Sequence, residues 1–297
     1  MSAPARTDGR LTVALVSEVF WQPDGLGRLD QRLDEAARRG ADIALLPELP
    51  LHPWRPATTT AVDDDAEPMG GPRMTAQATA ARRAGIGLIG GIIHRDADGR
   101  RTSRALVFDA SGELVSTFDK IHLPEEPGFW ETSHYEPGVT VARPIDAFGL
   151  RIGVQICSDN NRPEGTHLLG AMGAEAILVP RASEEATYQP WKVVFRANAL
   201  TSAAYVLSVN RPDPEQGVLI GGPSVAIDPT GYALVETTDR LALVTLDRSV
   251  ITKARVDYPG YLPIRADLYA DAWAEIAASG DYSVRVKVPS ASSSEPR

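Results

Sequence analysis

One order of elements runs along this chain twice, and that order leaves few folds open to it. Leu11–Ser17 is an apolar run of strand length. In the segment after it, Leu26–Gly40, Leu26, Leu29, Leu33, Ala36 and Ala37 fall at helical spacing and Gly40 marks the stop. Ile43–Leu46 is the next strand, Pro72–Ala84 an alanine-rich helix, and Ile86–His94 and Ser103–Asp109 are strands. Leu114–Phe118 pairs with the last of these across Ala110-Ser111-Gly112, a hairpin signal. The second half begins again with strand Leu150–Ile156, helix Glu164–Gly173, strand Ala176–Val179, helix Trp191–Ala203 and strand Tyr205–Val209. Ser224–Ile227, Tyr232–Glu236 and Leu241–Thr245 close it as a block of strands, with a turn at Asp228-Pro229-Thr230-Gly231. The likeness of the halves is architectural and not a repeat in sequence.

Parallel strands need crossover helices, whereas hairpins add antiparallel edges. The pattern therefore predicts an α/β fold in which two mixed β-sheets pack together with helices outside. It is read as one domain over residues 1–282, with a polar tail over 283–297 ending in SASSSEPR. A chain of 297 residues buries roughly 75% of the surface it exposes when unfolded, so the core needs no metal or disulfide to hold it. Arg55–Gly71, rich in Thr, Asp, Pro and Gly, is the longest irregular segment and a candidate lid.

Charge narrows the function. Lys and Arg total 30 against 39 Asp and Glu, a net charge of -9, and no basic run exceeds two residues. A nucleic-acid binder needs a basic surplus or patch, and an acidic surface repels anionic membranes, so neither partner is expected. No stretch approaches the roughly 20 apolar residues of a membrane span, and Met1–Arg10 lacks the apolar centre of a secretory signal. The single cysteine, Cys157, excludes an intramolecular disulfide. The default reading is a cytoplasmic enzyme acting on a small molecule.

Two motifs mislead. Gly85-Ile-Gly-Leu-Ile-Gly90 has dinucleotide spacing, but a helix precedes it and the glycines sit inside a strand, the reverse of a phosphate loop. Small residues that let two sheets approach closely explain it better. The five histidines, His52, His94, His122, His134 and His167, show no paired metal-ligand spacing. No metal and no cofactor is expected.

Three reactive side chains stand at strand ends, where ligand chemistry collects in α/β sheets. Glu48 follows Ala41–Pro47, Lys120 ends the strand before Ile121-His122-Leu123-Pro124, and Cys157 ends Gly153–Ile156. A thiol is mostly protonated at neutral pH and needs a base or a cation nearby. Glu48 can take the proton and return it to a leaving amine. Lys120 and the Ser158 N–H can hold the oxyanion of a tetrahedral intermediate. Together they suit acyl transfer through a thioester.

These segments resemble the nitrilase superfamily of carbon–nitrogen hydrolases. Its Glu-Lys-Cys signature is matched by Pro47-Glu48-Leu49, Lys120-Ile121-His122-Leu123-Pro124 and Cys157-Ser158-Asp159-Asn160-Asn161-Arg162-Pro163-Glu164. The resemblance, which extends from about Leu11 to Asp267-Leu268-Tyr269, implies a four-layer α-β-β-α sandwich. It also implies a homodimer joined through helices beside the nucleophile strand, with C-terminal segments crossing over. A second glutamate that contacts the lysine falls at Glu131, six residues before Pro137, with Glu136 the lesser candidate.

For the substrate, the resemblance favours amides over nitriles, because Ser158-Asp159 stands where true nitrilases usually carry Trp-Glu. Relatives acting on N-carbamoyl-D-amino acids place two arginines where this chain has Asn160 and Asn161, and Asn cannot supply the charge that holds a carboxylate. Only Arg162 remains nearby. Trp54, Trp130, Ser158, Asn160, Asn161 and Arg181 are the substrate-binding candidates, with Phe129, Tyr188 and Trp191 as further aromatic walls. Glu184 and Glu185 are either a solvated pair or a seat for a cationic amine. The expected activity is hydrolysis of a small primary amide or N-carbamoyl compound with release of ammonia. A nitrilase, an acyltransferase or a silent scaffold are the alternatives.

Overall fold

Alternation along β1 (Arg10–Val16) divides its side chains between two cores. Leu11, Val13 and Leu15 face a core shared with the second sheet, whereas Ala14 and Val16 face one shared with helices. The computed structural model describes residues 9–280, which fall into two compact units dividing after Tyr261.

In the first unit, one sheet has the order β15 (Leu241–Asp247), β1, β2 (Ile43–Leu45), β4 (Gly87–Arg95), β5 (Arg101–Phe108) and β6 (Leu114–Asp119). A short β3 (Ala66–Glu67) lies beside β4. β1, β2 and β4 are parallel neighbours, and the hairpins β4–β5 and β5–β6 are antiparallel. Helices α1 (Gly25–Arg38) and α2 (Pro72–Ala84) cover its outer face through Leu29, Leu33, Ala36, Ala80 and Ala81.

A ribbon of β7 (Glu125–Glu126) and β8 (Phe129–Trp130) precedes the second sheet. That sheet runs β14 (Ala233–Thr237), β13 (Ser224–Ile227), β12 (Tyr205–Asn210), β11 (Ala176–Arg181), β10 (Leu150–Val154), β9 (Ile145–Ala147). β10, β11 and β12 are parallel, as crossovers through α3 (Pro163–Ala171) and α4 (Tyr188–Ser202) require. Leu169, Trp191, Phe195 and Ala199 of these helices pack on the sheet. Helix, sheet, sheet and helix make the four layers expected from the sequence.

Most elements lie within a few residues of their predicted bounds, and α2 occupies the predicted span. The two hairpin turns share one device: Asp109 Oδ1 accepts from Ser111 N and Oγ, and Asp228 Oδ1 from Thr230 N and Oγ. Leu241–Thr245 is the exception in placement. Read as part of the second half's strand block, it pairs antiparallel with β1 along its whole length and closes the first sheet. Sequence adjacency pointed to β14, but the exposed edge of β1 offered the longer ladder. Arg55–Gly71 is less irregular than expected: two short 3-10 turns and β3 interrupt it, and Arg55 pairs with Asp65 at 2.6 Å.

The glycine motif brings layers together. A Cβ on Gly87 would meet the Phe148 ring at 2.2 Å, and one on Gly90 would meet Gln77 Oε1 of α2 at 1.8 Å. Gln77 in turn bonds N–H and C=O of Gly91 at 2.9 and 3.1 Å. The motif thus admits a residue of the second-sheet region at Gly87 and a helix side chain at Gly90.

After β15, helix α5 (Arg248–Val256) is capped by Asp247, whose side chain accepts from Ser249 N. The second described unit, residues 262–280, holds helix α6 (Ala266–Ser279), with Leu268, Tyr269, Trp273 and Ile276 exposed. The expected tail, 283–297, lies outside the described residues.

Candidate active site

Each expected reactive side chain sits just beyond a strand, where the ladder stops and the backbone turns. After β2, Pro47 lacks the N–H that would continue the ladder, and Leu49 takes a left-handed φ of 48°. Glu48 is thereby turned inward and is 2% exposed. Lys120 follows β6, its N–H still bonded to Ser103 O at 2.9 Å. Cys157 opens a 3-10 turn, Cys157–Asn161, with φ 46°, a conformation that costs a non-glycine residue roughly 1 kcal/mol and that the surrounding contacts must hold.

Lys120 Nζ donates to Glu48 at 2.8 Å and to Glu131 at 2.7 Å, and all three side chains are sealed from solvent. Glu48 Oε2 has no hydrogen-bond partner among the described residues. Cys157 Sγ donates to Ala182 O at 3.2 Å. Burial alone would lower the lysine's pKa, but Glu131, Glu48 and Cys157 outweigh it and hold the ammonium charged. Burial pushes the Cys157 thiol up, opposed by Lys120 and reinforced by the two carboxylates. Burial also lifts Glu131 to about 8, with Lys120 opposing and Glu48 adding to the rise. Burial thus works against charge on Glu131 and on the Cys157 thiol, while the neighbouring carboxylates keep Lys120 a cation.

Asp159 ties the lysine segment to the cysteine turn. Its carboxylate accepts from Ile121 N at 3.1 Å, His122 N at 2.9 Å and Ile156 N at 3.3 Å, and meets His122 Nδ1 at 2.8 Å. Arg211 does the same for the glutamate. It donates to the carbonyls of Glu48, Leu49 and His52 at 2.8, 2.9 and 2.9 Å and pairs with Glu215 at 2.8 and 2.7 Å. Sequence reading assigned no role to Arg211, although a charged residue straight after the fully buried strand Tyr205–Asn210 was the available signal.

A cavity of about 530 Å³ opens beside Cys157, lined by Ser158, Asn161, Phe129 and Trp191 among others. The profile of the carbon–nitrogen hydrolase family matches residues 14–256, a span that holds every one of these side chains. The chain belongs to the carbon–nitrogen hydrolase family, within the nitrilase superfamily. A hydrolase of Schizosaccharomyces pombe is 29% identical over 248 residues, covering 80% of this chain and 76% of its own. The deaminated glutathione amidase of Mus musculus is 28% identical over 252 residues, 80% and 77% of the two chains. A crystal structure of a carbon–nitrogen hydrolase from Helicobacter pylori G27 superposes with a TM-score of 0.81 at 19% identity, over 89% of this chain and 98% of that one.

Within this carbon–nitrogen hydrolase the substrate-binding candidates separate. Ser158 and Asn161 line the cavity, and Ser158 Oγ is bonded to His122 O. Asn160 does not reach it: fully buried, its side-chain amide donates to Gln155 and Thr166 at 3.0 and 3.1 Å and its backbone carbonyl accepts from Asn198. Arg181 is equally buried, spending its N–H groups on Ser208, Ser183 and Pro223 O with its guanidinium over Trp191 and Phe195. Trp54 is fully buried between Arg211 and Phe129, its Nε1 on Gly128 O at 2.8 Å. Trp130 is half-buried in β8 and is not among the lining residues. A sequence shows that such groups fall near active-site loops, but not which way they point. Glu136 is exposed on Arg100 at 3.0 Å, so of these two candidates it is Glu131 that meets the lysine. No group of three or more His, Cys, Asp or Glu among the described residues is arranged to hold a metal.

Proposed function

We propose that this carbon–nitrogen hydrolase is a thiol amidase that cleaves a small primary amide or ureido group through a cysteine thioester. The observation that carries the reading is Lys120 Nζ held at 2.8 and 2.7 Å between Glu48 and Glu131 next to a cavity that ends on Cys157. Glu48 Oε2, without a hydrogen-bond partner among the described residues, takes the thiol proton. Sγ then attacks the carbonyl carbon. Lys120 and the Ser158 N–H, which precedes the first turn bond from Asp159 N to Ile156 O, stabilise the resulting oxyanion. Glu48 returns the proton to nitrogen, the C–N bond breaks and ammonia leaves. Water loses a proton to Glu48 as it attacks the thioester, and the C–S bond breaks with reprotonation of sulfur.

The amidase named among its relatives supports amide over nitrile hydrolysis. The reading includes a homodimer, supported by the exposed Val193 and Leu200 on α4 and, separately, by the apolar side chains of α6. The test is ammonia release from a panel of primary amides, N-carbamoyl amines and nitriles. Release from an amide or ureido compound is expected, and Cys157→Ala should reduce it by at least 1,000-fold. Release from nitriles alone, or release that survives in the variant, would overturn the proposal.

A further inference from the structure

The charges around the cavity are lopsided. Among the described residues that line it, Glu126 and Glu184 carry carboxylates, while no lysine, arginine or histidine does so. Neither carboxylate makes an ion pair or a side-chain hydrogen bond with another described residue. Glu185, by contrast, packs beside Gly221 and Gly222 and is not a lining residue. The nearby cations are committed elsewhere: Lys120 to the two buried glutamates, and Arg181 to three partners behind the wall. Arg162 is exposed and outside the lining. Phe129, Trp191 and Val194 complete an apolar wall.

A substrate whose scissile carbonyl sits at Cys157 must place its remaining atoms in this cavity. A carboxylate there would meet two unpaired like charges and no donor cation. A neutral tail would gain only the apolar wall, whereas an ammonium would find both carboxylates and the aromatic rings. Resting on the amidase reading, we infer that this enzyme prefers substrates with an ammonium at the end remote from the amide, and that Glu126 and Glu184 set the preference.

Three matched amides test it: 5-aminopentanamide, hexanamide and the anion 5-amino-5-oxopentanoate. Two partly solvated ion pairs together make about a ten-fold difference in kcat/KM. The expected order is therefore cation over neutral by about ten-fold, with the anion lowest and the spread shrinking in 1 M salt. Glu126→Gln and Glu184→Gln should each reduce the cation-to-neutral ratio, and the double variant should bring it near one. A ratio of one or less in the wild type, or a ratio unchanged in the double variant, overturns the inference. Chloroacetamides with the same three end groups, followed by the mass gain at Cys157, give the same comparison without hydrolysis. If the alkylation order holds while no amide releases ammonia, the charge preference stands and the amidase reading fails. If ammonia is released with no charge order, the inference fails alone.

Discussion

One ammonium buried between two carboxylates leaves a negative surplus, which burial makes costly and which raises the proton affinity of Glu131. Its pKa, lifted to about 8 mainly by burial, makes its folded state bind a proton that the unfolded chain releases near 4.5. The sign follows directly: this residue's stabilisation is fully present below the unfolded value and is lost as pH rises through about 8. His52, His94 and His134, all lowered chiefly by burial, act oppositely, their contribution being lost as pH falls below the usual histidine range. Subtraction separates them. Wild type minus Glu131→Gln, compared by thermal melts from pH 5 to 9, should show wild type losing relative stability as pH rises; a flat difference would contradict the assignment. Asp159 offers a second residue-scale expectation. Asp159→Ala strands three backbone N–H groups at the junction of the lysine and cysteine segments. It should lower kcat about 100-fold by misplacing the nucleophile and destabilise the fold by about 2–4 kcal/mol, as steady-state kinetics and denaturant titration would read.

At the scale of elements, the strands deliver the residues and their ends aim them. β4 has to be lined with small residues because α2 presses Gln77 onto Gly90 and Phe148 reaches Gly87 from the other side. Gly90→Ala cannot be absorbed by rotating Gln77 without breaking its two bonds to Gly91. A loss of about 1–3 kcal/mol, measured by chemical denaturation, is expected for overpacking there.

Across the whole molecule, the two sheets and four covering helices form their cores within the first unit, since every clustered core residue lies before Tyr261. The described residues divide after 261. A chain of residues 1–261 should therefore unfold in one cooperative transition with a Tm within about 5 °C of the full protein. A 14-residue helix is marginal alone in water, and the exposed Tyr269, Trp273 and Ile276 of α6 share a face at helical spacing. Under the proposed dimer, light scattering should find the full chain dimeric and the shortened chain shifted toward monomer. No helix among the described residues is long and apolar enough to cross a membrane.

The sequence by itself determined what depends on local period and on residue chemistry. Short apolar runs and the 3.6 spacing located the strands and helices, the Ala110-Ser111-Gly112 and Asp228–Gly231 turns located the hairpins, and Glu48, Lys120 and Cys157 could be picked out because reactive groups at strand ends are few. Glu131 was reachable only through family resemblance, since a glutamate in a loop looks the same from sequence whether it is solvated or sealed. Tertiary structure decided the rest, because pairing and orientation depend on contacts far apart in the chain. It moved Leu241–Asp247 to the edge of β1, 225 residues and more from its neighbour in places, and drew Arg211 across to the carbonyls of Glu48 and Leu49, 163 and 162 residues away. It turned Trp54, Asn160 and Arg181 inward to satisfy buried polar and aromatic packing, and left Glu126 and Glu184 together at the cavity. Which way a side chain points is fixed by what surrounds it, and those surroundings exist only once the layers close.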